Sequence, residues 1–177
     1  MIEEVRRVVM GERTDRESAF SHIEVVEPMK LGESRVWHVW GWDQTPTLPH
    51  DSAAPYVPRS WAPPAGGLRI SATRFSPQEA PQTDQDRTTE AALRALAEAE
   101  PCGRYDDPDR PGMHRTDSVD IGVVVSGEVT VEAGDGEKVV LQPGDVYVQN
   151  GAIHNWHPDS HSRAHVVFIS LGVARAS

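Results

Sequence analysis

The alternation of apolar and polar positions predicts short β-strands over most of the chain. Between residues 129 and 133, for example, apolar Val129, Val131 and Ala133 alternate with polar Thr130 and Glu132, which is the period of a half-buried strand. Similar short runs predict the other strands, at Val5–Val9, His22–Val26, Arg35–Trp42, Leu68–Phe75, Ile121–Val125, Val139–Leu141, Val146–Gln149 and Ala164–Leu171. Short strands separated by frequent turns are typical of an all-β sandwich or barrel.

Two segments depart from this strand pattern. Thr45–Gly67 contains six prolines, which forbid regular structure there. We interpret it either as a surface connection or as a lid over a pocket, ordered by Tyr56 and Trp61. Thr88–Glu100 has a possible capping Thr, several Ala and Leu at helical spacing, and Pro101 just beyond it, so it predicts one short helix.

The length of 177 residues fits one domain covering 1–177. Within it we expect N-terminal strands and the Pro-rich loop in 1–67, a strand, the short helix and a loop in 68–112, and the barrel core in 113–173.

The charge argues against two classes of partner. With 17 basic and 27 acidic residues, the net charge of −10 disfavours nucleic acid and anionic membrane surfaces. Cys102 is the only cysteine, the first residues lack the apolar core of a signal peptide, and no apolar run reaches the length of a membrane span. We therefore expect a cytoplasmic protein whose partner is a small-molecule substrate.

Two of the eight histidines have positions that favour a functional role. His114 follows a Pro-Gly loop and His154 follows a Gly turn. A neutral imidazole binds metals and also transfers protons near neutral pH. On the strand before His154, Tyr147 and Gln149 share one face, which we expect to line the barrel.

The same region resembles the cupin superfamily of double-stranded β-helix proteins. Its first motif corresponds to His114-Arg115-Thr116-Asp117, with Asp120 at the usual Glu position and Gly127 after it. Its second motif corresponds to Gly144 followed by Gln149, Gly151, His154 and Trp156. The resemblance implies a cupin or jelly-roll barrel, with N-terminal strands and the short helix added.

The resemblance also implies a metal centre formed by His114, Asp120 and His154. Such a set suits Fe, Zn, Mn or Ni, although Asp is one methylene shorter than Glu, and Thr116 stands where a second motif His is usual. Asp117 is the alternative pocket carboxylate. The other possibility is a barrel without metal, in which His114 and His154 act as acid, base or hydrogen-bonding groups.

The function implied is that of a metal-dependent decarboxylase or lyase acting on an oxygenated or carboxylated metabolite of specialised metabolism. The alternatives are a non-haem Fe(II) dioxygenase, a metal-free isomerase or cyclase with His154 as base, and a ligand-binding cupin without catalysis. We expect His154, His114 and Tyr147 to be catalytic. The residues expected to bind substrate are Arg69, Gln149, Thr116 and Trp156. A homodimer formed through the N-terminal strands is also expected.

Overall fold

The computed structural model describes residues 3–12, 17–31, 33–48, 60–77, 103–159 and 161–176. The described residues form strands and turns without a helix, so the all-β expectation is confirmed. The helix predicted at Thr88–Glu100 lies outside the described residues, as do Tyr56 and Cys102. Among the residues described, no helix is long and apolar enough to cross a membrane.

The described residues contain thirteen strands. In chain order they are β1 (Val5–Glu12), β2 (Ser18–Val26), β3 (Met29–Leu31), β4 (Ser34–Trp42), β5 (Leu68–Phe75), β6 (Tyr105–Asp106), β7 (His114–Arg115), β8 (Ser118–Ser126), β9 (Val129–Ala133), β10 (Lys138–Leu141), β11 (Val146–Asn150), β12 (His154–Pro158) and β13 (Ala164–Gly172).

The strands form two main antiparallel sheets and one hairpin. The larger sheet has the order β11-β8-β13-β5-β4-β3, and the smaller has the order β10-β9-β12-β7-β6. Strands β1 and β2 pair only with each other. Strands β8, β11 and β13 belong to the larger sheet, and β9, β10 and β12 belong to the smaller one. The chain therefore crosses repeatedly between the sheets, and their inner faces enclose one interior.

The hydrophobic core fills one part of that interior. Its buried side chains are Val124, Val129, Val131, Leu141, Ala164 and Val166, with the partly buried Phe75, Tyr147, Trp156 and Phe168 packed against them. These partly buried aromatic residues have one side on the core and the other on an open cavity. The core thus forms the floor of a pocket rather than filling the barrel.

Ser60–Gly67, the described end of the Pro-rich segment, is fixed against the end of β13. Gly66 N–H donates to Gly172 O at 2.9 Å, and Gly172 N–H donates to Gly67 O at 3.0 Å. A Cβ at Gly172 would stand 1.9 Å from Pro64 O, so this close approach requires glycine. Trp61, Ala62 and Pro63 line the cavity, which agrees with a covering segment rather than a surface connection.

Candidate functional site

A cavity of about 410 Å³ lies between the two sheets, within the range of small-molecule sites. Its larger-sheet wall follows from strand register, because alternate residues of β5 and β13 face it: Arg69, Ser71, Thr73 and Phe75, with Phe168 and Ser170. The lining includes aromatic residues, such as Phe75, Trp156 and Phe168, and polar ones. The cavity therefore suits a ligand with an apolar body and polar substituents.

His114 and His154 lie on the smaller sheet and face the same cavity. They are directly opposite each other in the β7–β12 register, and their ring centroids are 4.5 Å apart. The non-adjacent motif residues are therefore brought together by one strand pairing. Trp156, two residues further along β12, stands on the same face, and its ring is 6.1 Å from that of His154.

Backbone and amide groups hold the Nδ1 atom of each imidazole. His114 Nδ1 lies 2.9 Å from Gly112 O, so this nitrogen carries the proton and Nε2 keeps its lone pair. The Gln149 amide nitrogen lies 2.6 Å from Ala152 O and 2.9 Å from His154 Nδ1. His154 Nδ1 also lies 3.1 Å from Ala152 O. Because the Gln149 amide nitrogen can only donate, we assign His154 Nδ1 as its acceptor and the His154 proton to Nε2.

Burial keeps both imidazoles neutral. Loss of hydration, assisted by the charge of Arg104, lowers the pKa of His114 from 6.5 to about 4. Burial also lowers the pKa of His154, against the opposing effect of the Asp120 carboxylate. At neutral pH the pair thus offers one hydrogen-bond acceptor and one donor without carrying charge.

The hydroxyl groups of Thr116 and Ser118 hold the carboxylate of Asp120, which lines the cavity. Ser118 Oγ lies 3.0 and 3.1 Å from the two Asp120 carboxylate oxygens, and 2.7 Å from Thr116 Oγ1. Burial, together with the charge of Asp120, raises the pKa of Tyr147 to about 12. Tyr147 therefore keeps its proton and is a donor on this wall.

Comparison with known proteins identifies the barrel. Residues 106–170 match the family model described as cupin domain, and this segment carries both His114 and His154. Residues 106–170 are therefore identified as a cupin domain.

Curated relatives of this cupin occur in fungal biosynthesis clusters. Phomopsin biosynthesis cluster protein C' of Diaporthe leptostromiformis is 45% identical over 67 residues, covering 35% of each chain. The cupin-domain-containing oxidoreductase srdB of Neurospora crassa is 45% identical over 51 residues, covering 29% of this chain and 26% of its own. The matched segment thus spans about a third of the relatives' length or less.

Solved structures are more distant. KdgF from Halomonas sp. aligns with a TM-score of 0.43 and 14% identity, covering 81% of this chain and 86% of its own. A similarity of this size carries no functional conclusion.

The side chains of this cupin do not assemble the predicted three-residue metal centre. Among the described residues, no group of three or more His, Cys, Asp and Glu is arranged to hold a metal ion. His114 and His154 face one another, but the carboxylate of Asp120 is engaged by Ser118. The implied metal therefore lacks its third side-chain ligand in this arrangement, and metal dependence stays a prediction.

The structure decides between the two alternative carboxylates. Asp120 lines the cavity, whereas Asp117 is bound 2.5 Å from Arg175 Nε and does not line it. Of the remaining predicted residues, Tyr147, Gln149, Thr116 and Trp156 all line the cavity. The Gln149 amide nitrogen holds His154, whereas its Oε1 atom has no hydrogen-bond partner among the described residues, so substrate binding by Gln149 stays a prediction.

Arg69 is the one predicted residue whose charge is already used. It faces the cavity, but it forms an ion pair with Asp43 at 2.5 Å and donates to Trp42 O at 2.9 Å. The expectation that it holds a substrate carboxylate overlooked this partner, because Asp43 is distant in sequence. His165, on β13, lies 2.8 Å from Ser126 Oγ and does not line the cavity.

Arg104 and His38 are among the cavity residues that the sequence analysis did not predict. Arg104 lines the cavity, binds Asp106 at 2.6 Å and lowers the pKa of both imidazoles. His38 lines the wall formed by β4. Neither belongs to a motif, and only the cross-sheet register brings His38 to the cavity, so no local sequence signal marks them.

Proposed function

We propose that this cupin is a decarboxylase or lyase of specialised metabolism that acts on a small carboxylic acid bearing a carbonyl group. The observation that supports it is the pair of neutral imidazoles, one donor and one acceptor, in a cavity with aromatic walls. The biosynthesis-cluster names of the relatives agree with a role in specialised metabolism.

In this proposal His154 stabilises the charge that develops on the substrate. When a 3-oxo acid loses CO₂, the bond between the carboxyl carbon and its neighbour breaks, and its electron pair moves to give an enolate. The His154 Nε2–H donates a hydrogen bond to the enolate oxygen, which is the kind of preorganised donor that stabilises such an anion. The enolate carbon then takes a proton from water.

Other cavity groups orient the substrate. The His114 Nε2 lone pair accepts a hydrogen bond from a substrate hydroxyl. Arg104, whose positive charge Asp106 neutralises in part, attracts the substrate carboxylate. The aromatic wall receives the apolar body. Because both imidazoles are neutral, the oxyanion is the main new charge in the cavity during the reaction.

The test is release of CO₂ from benzoylacetate, an aromatic 3-oxo acid, by untagged protein treated with a chelator. His154→Ala is expected to lower kcat/KM by about 100-fold or more, as loss of one oxyanion donor does elsewhere. His157→Ala is the matched control, because His157 lies on the same strand and contacts Glu132 outside the cavity. Equal rates for wild type and His154→Ala would contradict the proposal.

A second candidate is a metal-dependent oxidoreductase. It is favoured by relatives that are cupin-domain-containing oxidoreductases. It is also favoured by the contact of His114 Nδ1 with a backbone carbonyl, a common arrangement for metal-binding imidazoles. Elemental analysis of untagged wild type and His154→Ala tests it. Near-stoichiometric metal that is lost in the variant would support this candidate over the first.

A further inference from the structure

His38, in the middle of β4, is a buried polar side chain that the proposed chemistry does not use. It lines the cavity, yet both ring nitrogens are shielded from solvent and neither has a hydrogen-bond partner. Burial and the nearby charge of Arg69 lower its pKa to about 4. It is therefore a neutral ring with one unused N–H and one unused lone pair.

The packing around His38 does not account for an imidazole. Trp61 contacts the ring edge to face, with centroids 5.5 Å apart at 85°, and a phenyl ring makes the same kind of contact. Buried polar groups without partners are unfavourable and rare in native proteins. An apolar residue of similar shape would satisfy the packing without the free-energy cost of burying unpaired polar atoms. The unpaired nitrogens therefore indicate a hydrogen-bonding ligand.

The register places His38 on the larger sheet, on a different wall from the imidazole pair. It is opposite Ser71 on β5, which is opposite Phe168 on β13, which in turn is opposite Gly122 on β8. Three strand spacings correspond to roughly 14 Å along the sheet. His38 thus stands on the wall at the β4 side, whereas His114 and His154 belong to the other sheet.

The surroundings favour a neutral oxygen rather than an ion. Arg69, the cation on the adjacent strand, is paired with Asp43, so its charge is already balanced. Ser71, directly across from His38, also lines the cavity and carries a hydroxyl. A neutral imidazole beside a hydroxyl suits a group that both donates and accepts, such as a ligand hydroxyl.

We propose that His38 is a ligand-anchoring residue that hydrogen-bonds a neutral hydroxyl or carbonyl on the part of the ligand remote from His114 and His154. This inference rests on the proposal that the cavity binds a small molecule. It adds a specificity requirement: the ligand bears a second oxygen, separated from its reacting end by an apolar body.

The test compares two probes of similar shape, 4-hydroxybenzyl alcohol and p-xylene. Binding of each is measured by protein NMR to wild type, His38→Phe and His38→Gln. Phe keeps the ring contact with Trp61 and removes the polar atoms, whereas Gln keeps a donor and an acceptor. A neutral hydrogen bond corresponds to a several-fold to about tenfold change in affinity.

We expect His38→Phe to weaken binding of 4-hydroxybenzyl alcohol by about tenfold and to leave binding of p-xylene within about twofold. His38→Gln should retain part of the preference for the alcohol. The thermal midpoint of ligand-free His38→Phe should rise by a few degrees, because an unpaired polar group is removed. A residue with a purely structural role would instead lower the midpoint on substitution.

Equal loss of affinity for both probes, or no binding of either probe to wild type, would overturn the inference. Its failure is distinguishable from failure of the proposed reaction. Absence of CO₂ release together with selective loss of the alcohol in His38→Phe would reject the decarboxylase and retain the anchor. Turnover that depends on His154 but not on His38, with no probe selectivity, would retain the decarboxylase and reject the anchoring role of His38.

Discussion

At the scale of single residues, burial determines the charge state of the site. His38, His114 and His154 all have lowered pKa values, and burial is the largest cause for each. A neutral ring still presents a donor or a lone pair, so burial removes charge without removing hydrogen-bonding capacity. In His114 and His154, the hydrogen-bond partner of Nδ1 then determines whether Nε2 is a donor or an acceptor.

Burial of neutral His38 predicts a particular pH dependence of stability. The unfolded chain takes up a proton near pH 6.5, whereas folded His38 does so only near pH 4. Between these values the unfolded state holds more protons, so stability falls as the pH is lowered from 6.5 to 4. The His38 contribution is about 3 kcal/mol at most.

Urea denaturation at pH 7 and pH 4.5 measures this effect. His38→Phe should lose less stability than wild type over the same interval, because its contribution to the slope is gone. His161→Phe, at an exposed position, is the control and should keep the wild-type slope. An unchanged slope in His38→Phe would mean that folded His38 titrates normally.

Gln149 is predicted to control the tautomer of His154. A carboxylate at this position accepts the Nδ1 proton, so Gln149→Glu should move the proton from Nε2 to Nδ1 and remove the donor from the cavity. We expect kcat for CO₂ release to fall at least about tenfold. Gln142→Glu, in an exposed turn, is the control, and equal activity of both variants would contradict the assigned tautomer.

At the scale of elements, sequence patterns predicted strands where alternation is strong. β5 and β9 have the predicted boundaries, and β13 ends one residue later than expected. β12 was not predicted as a strand because His154, Asn155, His157 and Pro158 give no alternating apolar pattern. The pairing of β12 with β9 supplies the stabilisation that its own residues lack.

The candidate site was predictable in part for a related reason. His114 and His154 were marked by their motifs, and parity along β11 marked Tyr147 and Gln149. Arg69 was predicted to bind substrate and does line the cavity, but its pairing with Asp43 depends on the β4–β5 connection. Long-range pairing of this kind is invisible in a local pattern, as is the opposition of His114 to His154.

Arg69 is predicted to matter for stability because it joins elements. Its guanidinium contacts Asp43, the Trp42 carbonyl and Ser60 of the covering segment. Arg69→Met should lower the free energy of unfolding by about 2–4 kcal/mol, since it leaves buried acceptors without a donor. Urea denaturation measures the change.

Arg6→Met is the control for this effect, because Arg6 is exposed on β1 and should change stability by less than about 0.5 kcal/mol. A similarly small effect for Arg69→Met would show that the contacts to Asp43 and Ser60 do not fix the segment.

At the scale of the whole molecule, the N-terminal hairpin has an unusual surface. Val8, Met10, Phe20, Ile23 and Val25 are each between 48% and 67% exposed, and Val8 is opposite Ile23 in the register. A two-stranded sheet with an apolar outer face is poorly stable alone and is rarely left uncovered. Arg7 fixes its other side to β4 through the Val39 carbonyl at 3.1 Å.

This surface supports the homodimer predicted from the sequence, which we propose forms through the hairpin faces. Light scattering coupled to size exclusion should give twice the chain mass of 19.5 kDa for wild type. Phe20→Ser combined with Ile23→Ser should give the monomer mass, whereas Val139→Ser, an exposed apolar position on β10, should not. A wild-type monomer would contradict the proposal.

The most direct measurement of the central claim is the protonation of the two facing imidazoles at pH 7, obtained from long-range ¹H–¹⁵N NMR spectra of the histidine rings. Our account predicts that both rings are neutral, with the proton of His114 on Nδ1 and that of His154 on Nε2, and that both sets of resonances shift when benzoylacetate is added. A charged ring, or two rings in the same tautomer that do not respond to the ligand, would contradict it.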